Sequence, residues 1–355
     1  MHSLMGALTV FLVAATAVWY AGVRLSISTD VLADRLGWSE ALGGLVFLGM
    51  VTNLPELAIV VTGALHHEMQ VAVGDILGDI SNQVLVLVVV DAVCLGRTAP
   101  LSYRAASLTL VVEGILAIAI LMVVVIGTQL PNHLIWLGVT PPTLLITALW
   151  LFGLWLVRRA RQELPWHNSG VAPGGQRSKR GSSRRMRIQM HDARRRPTWQ
   201  VAVIFAVASL LTLVAGFYLE RSSESLAQRF GMQGVVFGAT FLSWVTTLPG
   251  LSSALAATRL GDFQLAVSDI LGGNAFLPVL FLPATLLSGE AVLPQARAAD
   301  IYLVALGILL MSVYLVGLIL RPRRQLWRLG LDSLAVALLY AAGIGGLFFI
   351  GGPNG

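Results

Sequence analysis

Charge is what this chain has least of. Only 12% of its 355 residues are Asp, Glu, Lys or Arg, and 56% are hydrophobic, whereas an average soluble domain carries about 25% charged residues. That balance excludes a soluble globular fold, and with it a soluble enzyme. Cysteine is nearly missing too. Cys94 is the single one, so no disulfide can close within the chain and no cysteine-based metal site exists. It lies in an apolar run and reads as a small core residue. Lysine is reduced to Lys179, one of 24 basic residues set against 18 acidic ones. Half of the 24 fall between Arg158 and Arg196. Such a run reads as a cytoplasmic loop under the positive-inside rule rather than as a nucleic-acid site, because the rest of the chain suits lipid. Contact with anionic lipid headgroups is compatible with that placement.

What the chain has in abundance is apolar length. About 20 apolar residues cross a bilayer, and the runs at 4–24, 41–65, 71–95, 105–126 and 134–157 are followed by 199–219, 234–257, 264–287, 301–320 and 334–350. The expected fold is therefore all-α, a polytopic membrane protein of ten transmembrane helices. Its halves are 1–157 and 199–355, joined by a basic cytoplasmic linker at 158–198 that is rich in Gly, Ser, Pro and Arg and lacks apolar periodicity. The first run has no Lys or Arg ahead of it and more membrane segments behind it, so it reads as a retained helix and not a signal peptide. It continues amphipathically through Asp30 and Asp34 to Leu36, before a turn at Gly37 and a capping Ser39. Pro141 and Pro142 are expected to kink the fifth span. With the linker inside, the N-terminus is outside, Arg97, Arg104, Arg321, Arg323, Arg324 and Arg328 fall inside, and the external 127–133 loop has no Lys or Arg. The expected location is the cell's inner (plasma) membrane.

Acids recur inside these apolar runs. Gly49-Met-Val-Thr-Asn-Leu-Pro-Glu56 is followed by Val73-Gly-Asp-Ile-Leu-Gly-Asp79-Ile-Ser-Asn82. A carboxylate at a helix centre in lipid costs about 2.5–3.5 kcal/mol even on permissive scales, so Glu56, Asp75 and Asp79 together ask for a cation. The stretch has an echo in Val245-Thr-Thr-Leu-Pro-Gly250 and Val267-Ser-Asp-Ile-Leu-Gly-Gly-Asn274, with Pro55 and Pro249, and likewise Asp75 and Asp269, 194 positions apart. The tails Ser28–Gly37 and Ser222–Gly231 repeat at the same offset. Two like halves of five spans each must sit upside down relative to one another, as inverted repeats with a site near the midplane on broken helices. Each proline removes a helical hydrogen bond and frees a backbone carbonyl there. Thr52 and Glu56 share a helix face, as do Asp75 and Asp79, with Asn82 a turn on. Oxygen donors of this kind suit Ca²⁺, and the absence of His and Cys from the motifs argues against zinc or copper.

These motifs resemble the α-repeats of the cation/Ca²⁺ exchanger superfamily, the sodium/calcium exchanger membrane region. The pattern G-T-S-x-P-E, followed by G-N-x-x-G-S-N, is similar to Met50–Glu56 with Gly74–Ile80 and to Trp244–Gly250 with Ser268–Asn274. The resemblance covers nearly the whole chain. It implies a secondary antiporter that exports Ca²⁺ in exchange for Na⁺ or H⁺ by alternating access, with the first helix of each half sliding across a core of spans two, three, seven and eight. The candidate metal ligands are Glu56, Asp75, Asp79, Asp269, Thr52, Asn53, Thr246, Thr247, Ser268 and Asn274. The departures are Gly250 where an acid is usual, Ile80 in place of the final amide, Asp79 in place of the serine, and Asp75 and Asp269 in place of asparagines. Four ionised carboxylates around one ion would repel one another, so some protons are expected to be retained. Proton coupling thus stands beside sodium coupling. The bland alternatives are polar glue between helices for the aspartates and local backbone bonding for the hydroxyls. Asp91 and Glu113 read as structural, Gly78, Gly272 and Gly273 as packing positions, and His66 and His67 as a solvated turn. No group is arranged for covalent chemistry, so no enzyme activity and no cofactor are expected; the expected partners are inorganic cations and membrane lipid and not nucleic acid, and the sequence identifies no protein partner. The other two readings are a cation channel or facilitator, and a degenerate, non-transporting member acting as a membrane scaffold.

Overall fold

A computed structural model describes residues 4–38, 43–66, 69–94, 99–105, 107–131, 133–136, 138–163, 191–229, 244, 247–326 and 328–350. Thr246, Ser39, residues 164–190 of the linker and the start of the expected seventh span lie outside the described residues. Where lipid offers no hydrogen-bond partner, an apolar run closes its backbone bonds internally as helix. The helices are α1 (Leu4–Leu36), α2 (Gly49–Val51), α3 (Leu54–His66), α4 (Met69–Cys94), α5 (Leu101–Ala105), α6 (Leu108–Thr128) and α7 (Pro141–Glu163). The series continues with α8 (Thr198–Arg229), α9 (Leu248–Leu260), α10 (Phe263–Phe276), α11 (Phe281–Ser288), α12 (Ala298–Leu320) and α13 (Leu331–Ile350). Among the described residues seven helical stretches are long and apolar enough to cross a membrane, and an eighth is formed by a pair bent by 58° at residues 52–53. Large apolar side chains face outward on α1 (Leu12, Tyr20), α7 (Leu151, Trp155), α8 (Val207, Leu210) and α12 (Val316, Ile319). This is the surface an integral membrane protein offers to lipid.

Three local features differ from the sequence expectation. Pro141 and Pro142 do not kink a span; they begin α7, the position where a missing N–H costs nothing. The residues ahead of them form an isolated bridge between Trp136 and Val139, with Gly138 at φ 78°. Before α13 the chain makes a similar pinch, a hairpin of β1 (Gln325–Leu326) and β2 (Leu329–Gly330) that turns at Arg328, φ 77°. Among the described residues the regular structure is thus helical apart from two strands of two residues each. The eighth expected span, finally, is interrupted by a 3₁₀ turn at Leu277–Leu280, since Pro278 has no N–H to offer the Asn274 carbonyl.

Packing places α4 and α10 at the centre. Ile76, Ile80, Val84 and Leu87 of α4 share a buried core with Val267, Ile270 and Leu271 of α10 and Met311 and Tyr314 of α12. The two long helices α1 and α8 lie against each other at the side. Ala14 and Val18 meet Ala215 and Leu219, while Val31 and Leu32 meet Val201, so α1 and α8 run antiparallel. A polar clasp joins the C-terminal end of α1 to the start of α8. Arg194 lies 2.8 Å from Asp34 and 3.1 Å from Asp30, and Arg35 donates to Thr198 Oγ1 at 3.0 Å and to the Arg196 carbonyl at 2.6 Å.

Asp91 has a structural role. It is fully buried and accepts the backbone N–H groups of Leu101 and Gly330, both at 2.8 Å, tying the end of α4 to the starts of α5 and α13. Asp91→Ala strands two buried donors, each costing about 1–3 kcal/mol. We expect it to lower thermal stability in detergent by about 3 kcal/mol in total. An unfolding transition unchanged from wild type would contradict this role.

Candidate cation site

Both Leu-Pro motifs start helices. Pro55 is the second residue of α3 and Pro249 the second of α9, where proline fits because the first turn needs no N–H partner. Upstream of α3 the chain forms a π-turn at Gly44–Leu48 and a single α-turn, then bends at Thr52 and Asn53. Glycines make the bend possible. A Cβ on Gly272 of α10 would sit 2.6 Å from Leu45 Cα, and one on Gly49 would sit 2.9 Å from the Gly272 carbonyl carbon, so two backbones touch here. A Cβ on Gly273 would lie 2.7 Å from Gln83 Oε1 and 2.8 Å from Asn53 Nδ2. Gly272 and Gly273 are therefore packing positions, whereas Gly78 meets only Leu303 at an ordinary 3.8 Å.

A small cavity of about 10 Å³ opens beside the bend, lined by Thr52, Asn53, Glu56, Gln83, Val86, Thr247, Gly250, Asp269 and Ile270. That is close to the space one water-sized sphere occupies. Glu56, in the first turn of α3, is 1% exposed, and Asp269 of α10 is likewise 1% exposed. Ser253 of α9 donates to Asp269 Oδ2, and its oxygen is also 2.9 Å from the Gly250 carbonyl. The Thr52 hydroxyl has one proton and two acceptors in reach, the Leu48 carbonyl at 2.8 Å and Asp269 Oδ1 at 3.2 Å. On the other wall Asn53 donates to the Gly49 carbonyl at 2.5 Å and accepts from Gln83 Nε2 at 2.7 Å. Gln83 Nε2 is also 2.7 Å from Asp79 Oδ2.

Of the residues singled out from the sequence, Thr52, Asn53, Glu56, Thr247 and Asp269 come together at the cavity. Asp75, Asp79, Ser268 and Asn274 do not line it, and Thr246 lies outside the described residues. Asp79 is one step removed, engaged by Gln83. Asp75 lies a turn earlier on α4, with Oδ2 buried and without a hydrogen-bond partner among the described residues. Ser268 donates instead to Glu113 Oε2 of α6 at 2.7 Å, and Asn274 reaches Met311 Sδ at 3.6 Å. Asn82 accepts from Tyr340 of α13. The expected cluster of four carboxylates is thus not one cluster: among the described residues no three acids converge as a metal group. Sequence reasoning missed Gln83 and Ser253. Gln83 stands four residues after Asp79 and so shares its helix face, and Ser253 stands four after Pro249 on the first turns of α9; both spacings were readable. The lining offers carboxylate, amide and hydroxyl oxygen and no sulfur or imidazole, the donor set of a hard cation. Two carboxylates balance one divalent ion.

Comparison with known proteins gives one consistent answer. The family model described as "Sodium/calcium exchanger protein" matches residues 6–158 and 200–346. The inner membrane protein YrbG of Escherichia coli (strain K12) is 27% identical over 286 residues, 80% of each chain. CaxA of Alkalimonas amylolytica, a candidate antiporter by its name, is 27% identical over 304 residues, covering 84% of this chain and 86% of that one. Among solved structures, the sodium-calcium exchanger NCX_Mj soaked with 10 mM Na⁺ and zero Ca²⁺ superposes with a TM-score of 0.67 at 14% identity, over 96% of this chain and 98% of that chain. The same exchanger soaked with 100 mM Na⁺ and 10 mM Sr²⁺ gives 0.66 at 12% identity, over 96% and 97%.

Proposed function

We propose, from the premise that this chain belongs to the sodium/calcium exchanger protein family and is an integral membrane cation antiporter rather than an enzyme, that it moves Ca²⁺ against Na⁺ or H⁺ through the cavity at the bend. One observation carries this reading. Glu56 and Asp269, from motifs 194 positions out of phase with each other's counterparts, face one small oxygen-lined space beside a broken helix.

The architecture we propose is ten spans in two inverted repeats, 1–157 and 199–355, with the basic linker on the cytoplasmic side in contact with anionic lipid, the N-terminus outside and the protein in the inner membrane. Four packing relations support the inversion. Helix α1 crosses α9 while α8 crosses α3, and α6 packs on α10 while α12 packs on α4. The crossings are made at equivalent glycines. A Cβ on Gly22 would meet Ser252 and the Pro249 carbonyl, and one on Gly216 would meet the Pro55 ring. The antiparallel α1 and α8 thus lie over both helix breaks, where sliding would open the cavity to one side and then the other.

The test is ⁴⁵Ca²⁺ uptake into proteoliposomes with an imposed Na⁺ or proton gradient in turn. Uptake driven by one gradient and not by the other names the counter-ion. Uptake that proceeds equally with neither gradient describes a facilitator, and none under any gradient removes Ca²⁺ as the cargo.

A further inference from the structure

The two repeats supply their acids unequally. Position for position Glu56 corresponds to Gly250, so one broken helix carries a carboxylate where the other has none. Yet Gly250 and Asp269 line the same cavity, and Ser253 bridges them, close to the Gly250 carbonyl at 2.9 Å and donating to Asp269 Oδ2. Asp269 has a counterpart as well, Asp75, which does not line the cavity. The difference is legible in the partner: Ser253 corresponds to Ile59, so the equivalent of the hydroxyl that aims Asp269 is missing beside Asp75. Asp79, the acid the sequence offers as compensation for Gly250, does not line the cavity and accepts from Gln83 Nε2 at 2.7 Å.

We infer that Asp269, aimed by Ser253, takes the place of the carboxylate absent at Gly250, so that the site keeps two charges although one has moved from the broken helix to the helix after it. This rests on the reading of the cavity as the cation site. An ionised carboxylate has about four lone-pair positions. Asp269 uses one on Ser253 and at most one on Thr52, which leaves lone pairs on both oxygens for a cation. Glycine at 250 is not demanded by packing, since a Cβ there meets only Ile270 Cδ1 at 3.7 Å. A carboxylate at 250 would enter the space Asp269 now serves. In this scheme Asp269 is a ligand and Ser253 a positioning residue.

The experiment is calorimetric Ca²⁺ titration of the purified full-length protein, wild type beside five variants. Glu56→Gln and Asp269→Asn should each weaken binding by about 100-fold or more, as expected on removing one partner of a buried charge pair. Gly250→Glu combined with Asp269→Asn should bind at least about 10-fold more tightly than Asp269→Asn alone. Ser253→Ala should weaken binding by about 10-fold, the usual effect of an outer-shell partner, and Ser253→Thr should bind as wild type does. Asp269→Asn binding as wild type does, a double variant no better than the single, or Ser253→Ala without effect would each overturn the relocation while leaving Glu56 as a ligand. Wild type and Glu56→Gln binding alike would instead remove the cation-site reading, and this inference with it.

Discussion

A Glu56→Gln protein should fold, insert and fail to exchange: we expect gradient-driven cation movement to fall by about 100-fold or more. The substitution keeps length, shape and one oxygen acceptor, and removes only charge. Glu56 is 1% exposed, so no bulk water can make good the loss. With Asp269 alone, a divalent ion in the cavity would carry an uncompensated positive charge in a setting of low dielectric, where such an imbalance is costly. Normal thermal stability together with lost flux separates this outcome from misfolding. Full flux in Glu56→Gln would mean that the cavity is not on the transport path, whatever the fold.

The second large effect should come from a residue that touches no cation. Gly216 of α8 sits over the Pro55 ring, and a Cβ there would lie 2.8 Å from Pro55 Cβ and closer still to Cγ. A proline ring has no rotamer to retreat into, so Gly216→Ala must lift α8 off α3 or wedge the two together; overpacking of this kind costs about 1–3 kcal/mol. If α8 slides across the break during transport, that cost falls on the motion. We expect turnover to drop by about 10-fold, equivalent to about 1.4 kcal/mol of barrier, with Ca²⁺ affinity unchanged. A variant that loses affinity and turnover together would place Gly216 in the site's scaffold and not in its moving part. Gly22 is the equivalent position in the other half, and a Cβ there would lie 2.9 Å from Ser252 Cβ and 3.2 Å from the Pro249 carbonyl oxygen, contacts that rotating the Ser252 hydroxyl does not relieve, so Gly22→Ala should slow turnover in the same way.

Much of this is legible in the sequence alone. Apolar run length set the helices, because a chain in lipid has no other way to satisfy its backbone. The Leu-Pro pairs marked where the spans are interrupted, although each proline lies in the first turn of a new helix rather than inside one, and the 194-residue offset linked Thr52, Asn53 and Glu56 to the second motif. What failed has identifiable causes. Pro141 and Pro142 looked like a kink because run length alone cannot say whether a proline lies inside a helix or at its first turn. Asp75 and Asp269 looked equivalent because an internal repeat equates positions; it does not show that only Asp269 lines the cavity, bonded to Ser253, whose counterpart in the first half is Ile59. Asp79 looked like a ligand because an acid among apolar residues attracts attention, while the neutral Gln83 that engages it does not. Glu113, fully buried, was isolated in the sequence, and only the packing of α6 on α10 brings it to Ser268.

The most direct test of the central claim is the position of a bound ion. Crystals soaked in Sr²⁺, a Ca²⁺ analogue with usable anomalous scattering, should show one peak in the cavity within about 2.3–2.8 Å of Glu56 and Asp269 oxygens, slightly beyond the Ca²⁺–oxygen range. That peak should vanish in Glu56→Gln. A strong peak elsewhere with the Glu56–Asp269 cavity empty would contradict the account.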